Sequence, residues 1–251
     1  MTSLASGPTG RKLALALLTS ALALTGCSGK DEKKPSRPQA TSAVPAPTPA
    51  PQPSYSAEQV EQRLLSPKEI GPKVREIRAV ADVTKDGRAP MCSLSGAKLP
   101  GSPKTVTRQF NNATRGKGEI AYVQTIALYG SPDEAKKAYA ALQDKAKSCP
   151  PKRNVAAKRI RENFTLFSHK DTWKFDTDSV GNWMHARGTE RQQYPSTTSK
   201  YNILHLMYDY ASYGNLLVSS IYYERTEPKE SGDPTSRRAT EVLKKQLQKL
   251  G

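Results

Sequence analysis

The sequence predicts an α+β domain in which helices gather against a largely antiparallel sheet. Three observations carry that prediction. Helix-start signals open at Ser56, Ser66 and Ser131. Strand-like runs with period-two patterning recur between Thr105 and Glu224. A last stretch from Asp233 repeats apolar residues at helical spacing.

Ser56 with Gln59 forms a capping box, and the helix it starts is predicted to run through Leu65. Ser66-Pro67-Lys68-Glu69 forms a second box, with proline at the first helical position and Gly71 as the stop. Val74 to Val83 reads as a strand, and 84–104, which holds Gly, Pro and Cys92, as a loop. Thr105–Asn111 and Glu119–Tyr129 form a hairpin around Arg115-Gly-Lys-Gly118, with Ile120, Tyr122, Ile126 and Leu128 on one face. Ser131-Pro132-Asp133-Glu134 caps a helix whose Ala135, Ala138, Tyr139, Leu142 and Ala146 face inward, with Cys149 at its end.

In the second half, Asn163–Ser168, Gly181–Arg191, Ser199–Ala211 and Leu216–Glu224 read as strands. Gly214-Asn215 supplies the tight turn between the last two. Asp233-Pro234 opens a final helix with Ala239, Val242, Leu243, Leu247 and Leu250 inward. The expected order is α-α-β-β-β-α-β-β-β-β-α.

The amino-terminal end describes export. Arg11 and Lys12 precede an apolar run from Leu13 to Leu24, only 12 residues long, where a spanning helix needs about 20. Small residues follow, as in a secretory signal. The run ends on Leu24-Thr25-Gly26-Cys27, which resembles the lipobox of bacterial lipoproteins. That resemblance implies cleavage of 1–26 as a signal peptide, diacylglyceryl on the Cys27 thiol and palmitate-type acylation of the new amino terminus. The protein would sit at the outer face of the cytoplasmic membrane, exposed to the wall. Two or more buried chains, at about 0.8 kcal/mol per methylene, make a stable anchor.

Cys27 and the segment to residue 55 form a lipidated tether. Seven prolines fall in 28–54, a composition that favours extended polyproline II over a packed core. Fully extended, it reaches roughly 80 Å. The folded domain is expected at 56–251.

The precursor has a net charge of +16, and the loss of Arg11 and Lys12 leaves +14 on the mature chain. Such a balance points to anionic lipid headgroups or wall polymer, the plain alternative being that it only maintains solubility, and export argues against nucleic acid as a partner. With Cys27 taken by lipid, Cys92 and Cys149 remain. An even pair in an exported chain reads as a disulfide. It would be worth on the order of 4 kcal/mol for the loop it closes.

Catalytic and metal motifs are weak. His169, His185 and His205 form no His-Glu-x-x-His, and no Gly-x-Ser-x-Gly elbow occurs. Asp176-Thr-Asp178-Ser-Val-Gly181 faintly resembles a calcium loop but has Val180 and Arg187 where liganding oxygens belong. The expectation is a protein without enzymatic activity, cofactor or metal. Two binding surfaces are candidates. Trp183, His185 and Arg187 alternate onto one strand face, with His205 on a later strand, an arrangement that suits anionic or carbohydrate ligands; the plain alternative is that Trp183 is core. Lys145, Lys147, Lys152, Arg153, Lys158, Arg159 and Arg161 form a basic run without an acid, either a solvated loop or a patch for anionic headgroups or teichoic-type polymer.

Leu64-Leu65-Ser66-Pro67-Lys68-Glu69-Ile70-Gly71 resembles the opening of the PknH-like extracellular sensor domain family. Val123-Gln124-Thr125-Ile126-Ala127-Leu128-Tyr129 followed by the Ala-rich helix and Cys149-Pro150 resembles its central unit, and Tyr213-Gly214-Asn215-Leu216-Leu217-Val218 its late hairpin. The resemblance covers about 56–251. It implies a twisted sheet with helices packed on it, a groove for a ligand, and a sensor-like role either on a membrane-bound serine/threonine kinase or in a free lipoprotein of a Gram-positive envelope. Kinase-linked members tend to carry two disulfides where this chain can form one. With no kinase in this sequence, an envelope signalling protein would have to serve as partner.

Overall fold

A computed structural model describes residues 52–78, 82–161 and 164–251. Cys27, the signal segment and most of the proline-rich tether lie outside the described residues.

Both early capping boxes form. Ser56 starts α1 (Ala57–Gln62): its hydroxyl accepts the Gln59 N–H, and the Gln59 side chain accepts the Ser56 N–H in return. Ser66 and Glu69 do the same for α2 (Pro67–Ile70), which Gly71 ends. α1 stops short of Leu65 because the last helix of the chain takes over the next backbone groups. The Gln246 amide binds the Arg63 carbonyl and the Leu65 N–H, and the Lys249 ammonium binds the Leu64 carbonyl.

Of the strand expected over 74–83, β1 (Arg75–Glu76) forms among the described residues, and 79–81 lie outside them. Asp82–Gly87 coils as a 3-10 turn with Asp86 at φ 58° and Gly87 at φ 69°, and left-handed backbone cannot continue a strand. The expected loop over 84–104 holds a small hairpin, β2 (Ala89–Met91) and β3 (Ser95–Ala97). β4 (Lys104–Asn111) and β5 (Ile120–Leu128) pair as expected. Ser131 caps α3 (Pro132–Lys147), whose buried residues are the five read from its spacing.

The second half holds more strands than the four expected. β6 (Lys152–Val155), β7 (Lys158–Arg161) and β8 (Phe164–Leu166) precede β9 (His169–Val180). β10 (Trp183–Gln193), β11 (Ile203–Tyr213) and β12 (Leu216–Thr226) follow, then α4 (Asp233–Leu250). The main sheet runs β1-β4-β5-β12-β11-β10-β9-β6, antiparallel at every step.

Helices cover both faces of this sheet. α3 packs with Val123, Ala127, Leu206, Tyr208, Tyr210 and Ile221 on one face. α4, α1 and α2 pack on the other with Ile126, Trp183, Ala211, Val218, Tyr122 and Met207. Both faces of β5, β11 and β12 are therefore buried. Each Val or Leu that α4 buries contributes about 1.5–3 kcal/mol as an upper estimate.

The Cys92–Cys149 disulfide joins the β2–β3 turn to the residues after α3. Trp173 on β9 donates its indole N–H to the Ala146 carbonyl at 3.0 Å, and its ring fills the space over Gly188. A Cβ at Gly188 would lie 2.0 Å from that ring, so only glycine fits. At the β11–β12 turn, Gly214 (φ 55°) lies against the Pro53 carbonyl. The Asn215 side chain grips the backbone of Tyr55 and the Tyr129 carbonyl. Pro53 and Tyr55, just before the boundary read from the sequence, thus pack against this turn.

Candidate functional site

Trp183, His185 and Arg187 do share a face of β10, and α4 covers it. Trp183 is buried against Leu243 and Leu247 of the same cluster, its ring 5.6 Å from that of Tyr213. His185 and Arg187 converge on Asp209 of β11. Asp209 Oδ1 accepts from His185 Nε2 at 2.9 Å and from Arg187 Nε at 2.6 Å, and Oδ2 accepts from Arg187 at 3.0 Å. Arg187 also reaches Thr240 Oγ1 on α4 at 2.6 Å, and His185 Nδ1 meets the Asp178 carboxylate. Burial opposes the Asp209 charge, yet Arg187 and His185 outweigh it and hold the carboxyl below its ordinary range. Burial would lower His185, and its two carboxylates outweigh that and raise it. The group ties the sheet to α4 and has its bonds inside the protein. His205 lies further along, paired across from Arg191 and under Gly232, where burial pushes its pKa down. It does not join the other three.

Six residues of the basic run, Lys145 to Arg159, are exposed. Lys145 and Lys147 end α3, Lys152 and Arg153 lie on β6, and Lys158 and Arg159 on β7, where Arg161 is the last residue. The 145–161 stretch is therefore a helix end and two short strands rather than a solvated loop.

The opposite face of the sheet, beyond the end of α3, carries a cleft of about 830 Å³. It crosses the strands. Gln109 and Asn111 on β4 lie at one end, Val123 on β5 and Ile221 on β12 in the floor, and Arg153 and Val155 on β6 at the other end. Ala156, Ala157, Lys158 and Leu166, from the arm between β6 and β9, line it as well, with Ser93 and Leu94 beside the disulfide. Its size suits a small-molecule site. Its lining is largely apolar, with Arg153 and Lys158 but no acidic side chain among the described residues. Gln109 is only 6% exposed and its Nε2 has no hydrogen-bond partner. Two smaller cavities, of about 500 and 300 Å³, adjoin the same β6 edge and share Asn154 with it.

A buried carboxyl supports the cleft wall. Glu190, 1% exposed, accepts the Ser93 N–H at 2.8 Å, the Tyr208 hydroxyl at 2.8 Å and the Gln192 amide at 2.8 Å. Burial pushes its pKa up to about 7, with Asp171 adding to the rise. The Ser93 hydroxyl donates to Asp171 Oδ2 at 2.6 Å, and His169 Nε2 lies 3.2 Å from Asp171 Oδ1 without the alignment of a hydrogen bond. Serine, aspartate and histidine thus meet here, but with the acid in the middle. A nucleophilic serine needs its hydroxyl on the imidazole, and this one is bound to the carboxylate.

Sequence reasoning missed Glu190, Asp171 and Gln109, and it gave no residues for the groove that the family resemblance implies. One signal was present: on β10 the alternation that puts His185 and Arg187 on one face puts Glu190 on the other, beside Ala186 and Gly188. The cleft itself draws on segments from Ile77 to Tyr223, and no local pattern encodes that assembly.

Among the described residues no cluster of three or more His, Cys, Asp or Glu side chains is placed to hold a metal ion. No described helix is long and apolar enough to cross a membrane.

No family model matches the chain, and no curated protein matches it. Among solved structures it is similar to the extracellular domain of PknH from Mycobacterium tuberculosis, at 11% identity and a TM-score of 0.48, over 78% of this chain and 99% of that one. It is also similar to the Rv0999 ortholog from Mycobacterium smegmatis, at 12% identity and a TM-score of 0.35, over 79% of this chain and 98% of that one.

Proposed function

We propose that this chain is a non-catalytic, sensor-like ligand-binding module, anchored to the outer face of the cytoplasmic membrane by lipid on Cys27. The cleft beside the disulfide loop carries the reading. It has the volume of a ligand site, and its Gln109 amide donor is buried without a partner. Turnover is not ascribed to it, because the buried acids and the Ser93 hydroxyl are engaged with one another. The proline-rich segment would hold the domain off the bilayer, and signalling output would pass through an envelope protein partner.

A second reading rests on a separate observation. Lys145, Lys147, Lys152, Arg153, Lys158 and Arg159 are all exposed, which favours a structural tether holding anionic wall polymer or headgroups through charge. Native mass spectrometry of the full chain carrying Cys27→Ser, mixed with a host envelope extract, separates the two. A discrete stoichiometric adduct is the expected result. Salt-sensitive binding to wall polymer with no adduct would replace the first reading by the second.

A further inference from the structure

The chemistry of the cleft narrows the class of ligand, and the argument rests on the ligand-binding reading above. The cleft runs from β4 to β6, six inter-strand steps apart in the sheet. Its middle is apolar, with Val123 and Ile221 in the floor and Ala157 and Leu166 on the arm above. Its charge is of one sign: Arg153 and Lys158 line the cleft, no carboxylate does, and among the described residues neither cation forms an ion pair. An apolar lining that carries cations and no carboxylate is complementary to a molecule that joins an apolar chain to an anionic group.

We propose that the cleft holds a single-chain amphiphile, an acyl chain with an anionic head, the chain lying across the strands against Val123 and Ile221 and the head at Arg153 and Lys158. A free fatty acid and a lysophospholipid share this chemistry and differ in the head, carboxylate or phosphate.

The test is isothermal titration of the full chain carrying Cys27→Ser, so that its own lipid does not compete. The probes are palmitate, 1-palmitoyl lysophosphatidate and hexadecanol, at low salt and below micelle formation. One-to-one binding of at least one anionic probe is expected, with hexadecanol at least tenfold weaker, and the tighter anion identifies the head. The Arg153→Ala/Lys158→Ala double variant alters exposed side chains only. It should lose at least tenfold for the anionic probes with hexadecanol unchanged. Filling the channel with Ala157→Trp should abolish binding of all three. Equal affinity for hexadecanol and palmitate, no loss in the double variant, or no saturable binding of either anion would overturn the proposal. If the envelope extract still yields an adduct of non-acyl mass, this inference falls and the ligand-binding reading stands; if neither experiment shows binding, both fall.

Discussion

Ser93 donates its backbone N–H to the carboxyl of Glu190 at 2.8 Å, across 97 residues of sequence. The contact locks the disulfide loop onto the middle of the sheet and sets the position of Leu94 in the cleft wall. Because Glu190 is buried, the lock is tied to its protonation.

The Glu190 pKa stands at about 7 in the folded protein, against an unfolded value of about 4.3. The folded state therefore holds the proton more tightly. As pH rises from about 4.3 to about 7, stability falls, by up to about 3 kcal/mol from this group. His185, raised by its carboxylates, contributes stability below its unfolded pKa and loses it as pH rises through the folded one. Glu190→Gln should flatten the first component. Urea melts at pH 5, 6, 7 and 8 give the comparison, and an unchanged slope in the variant would refute the assignment.

Asp209 is the hub beneath α4. Removing it leaves Arg187 and a raised His185 without their shared carboxylate in a buried setting, which costs about 3–5 kcal/mol. Asp209→Ala should lose that much in denaturant unfolding. Since its pKa is lowered, the wild-type contribution is present at neutral pH and is lost as pH falls through the folded pKa. A loss below 1 kcal/mol at pH 7 would mean that the cluster is dispensable.

Gln109 behaves in the opposite way. Its Nε2 is buried and unpartnered in the free chain, so replacing it by an apolar group of similar shape removes an unmet donor. Gln109→Leu should unfold at the same denaturant concentration as wild type or a higher one. A clear loss of stability would reveal a partner for the amide within the chain.

Cys27 carries the anchoring reading. Expressed in its host, Cys27→Ser should leave the salt-washed membrane pellet and appear in the soluble fraction, while wild type stays in the pellet. Retention of the variant would remove lipid as the anchor.

Where one side chain meets its own neighbours, the fold is legible in the sequence. The capping boxes at Ser56 and Ser66, the Ser131 cap, the inward stripe of α4 and the Gly214-Asn215 turn all form as read. The Cys92–Cys149 pairing follows from there being two cysteines left in the domain. Legibility fails where burial is polar. β9 has Trp173 and Phe175 as its apolar marks, and its other inward positions include His169 and Asp171, so strand alternation is hidden. It fails again where tertiary contact overrides pattern. Trp183, His185 and Arg187 alternate as an exposed binding face would, but α4 lies over them, and the open cleft is on the opposite face of the sheet.

The most direct test of the cleft as the binding site is chemical-shift mapping of the full, isotope-labelled chain carrying Cys27→Ser, titrated with the host envelope extract. The account expects shifts concentrated at Val123, Ile221, Val155 and Ala157, with Trp183 and His185 unmoved. Shifts confined to the exposed lysines at 145, 147 and 152, or to the face beneath α4, would contradict it.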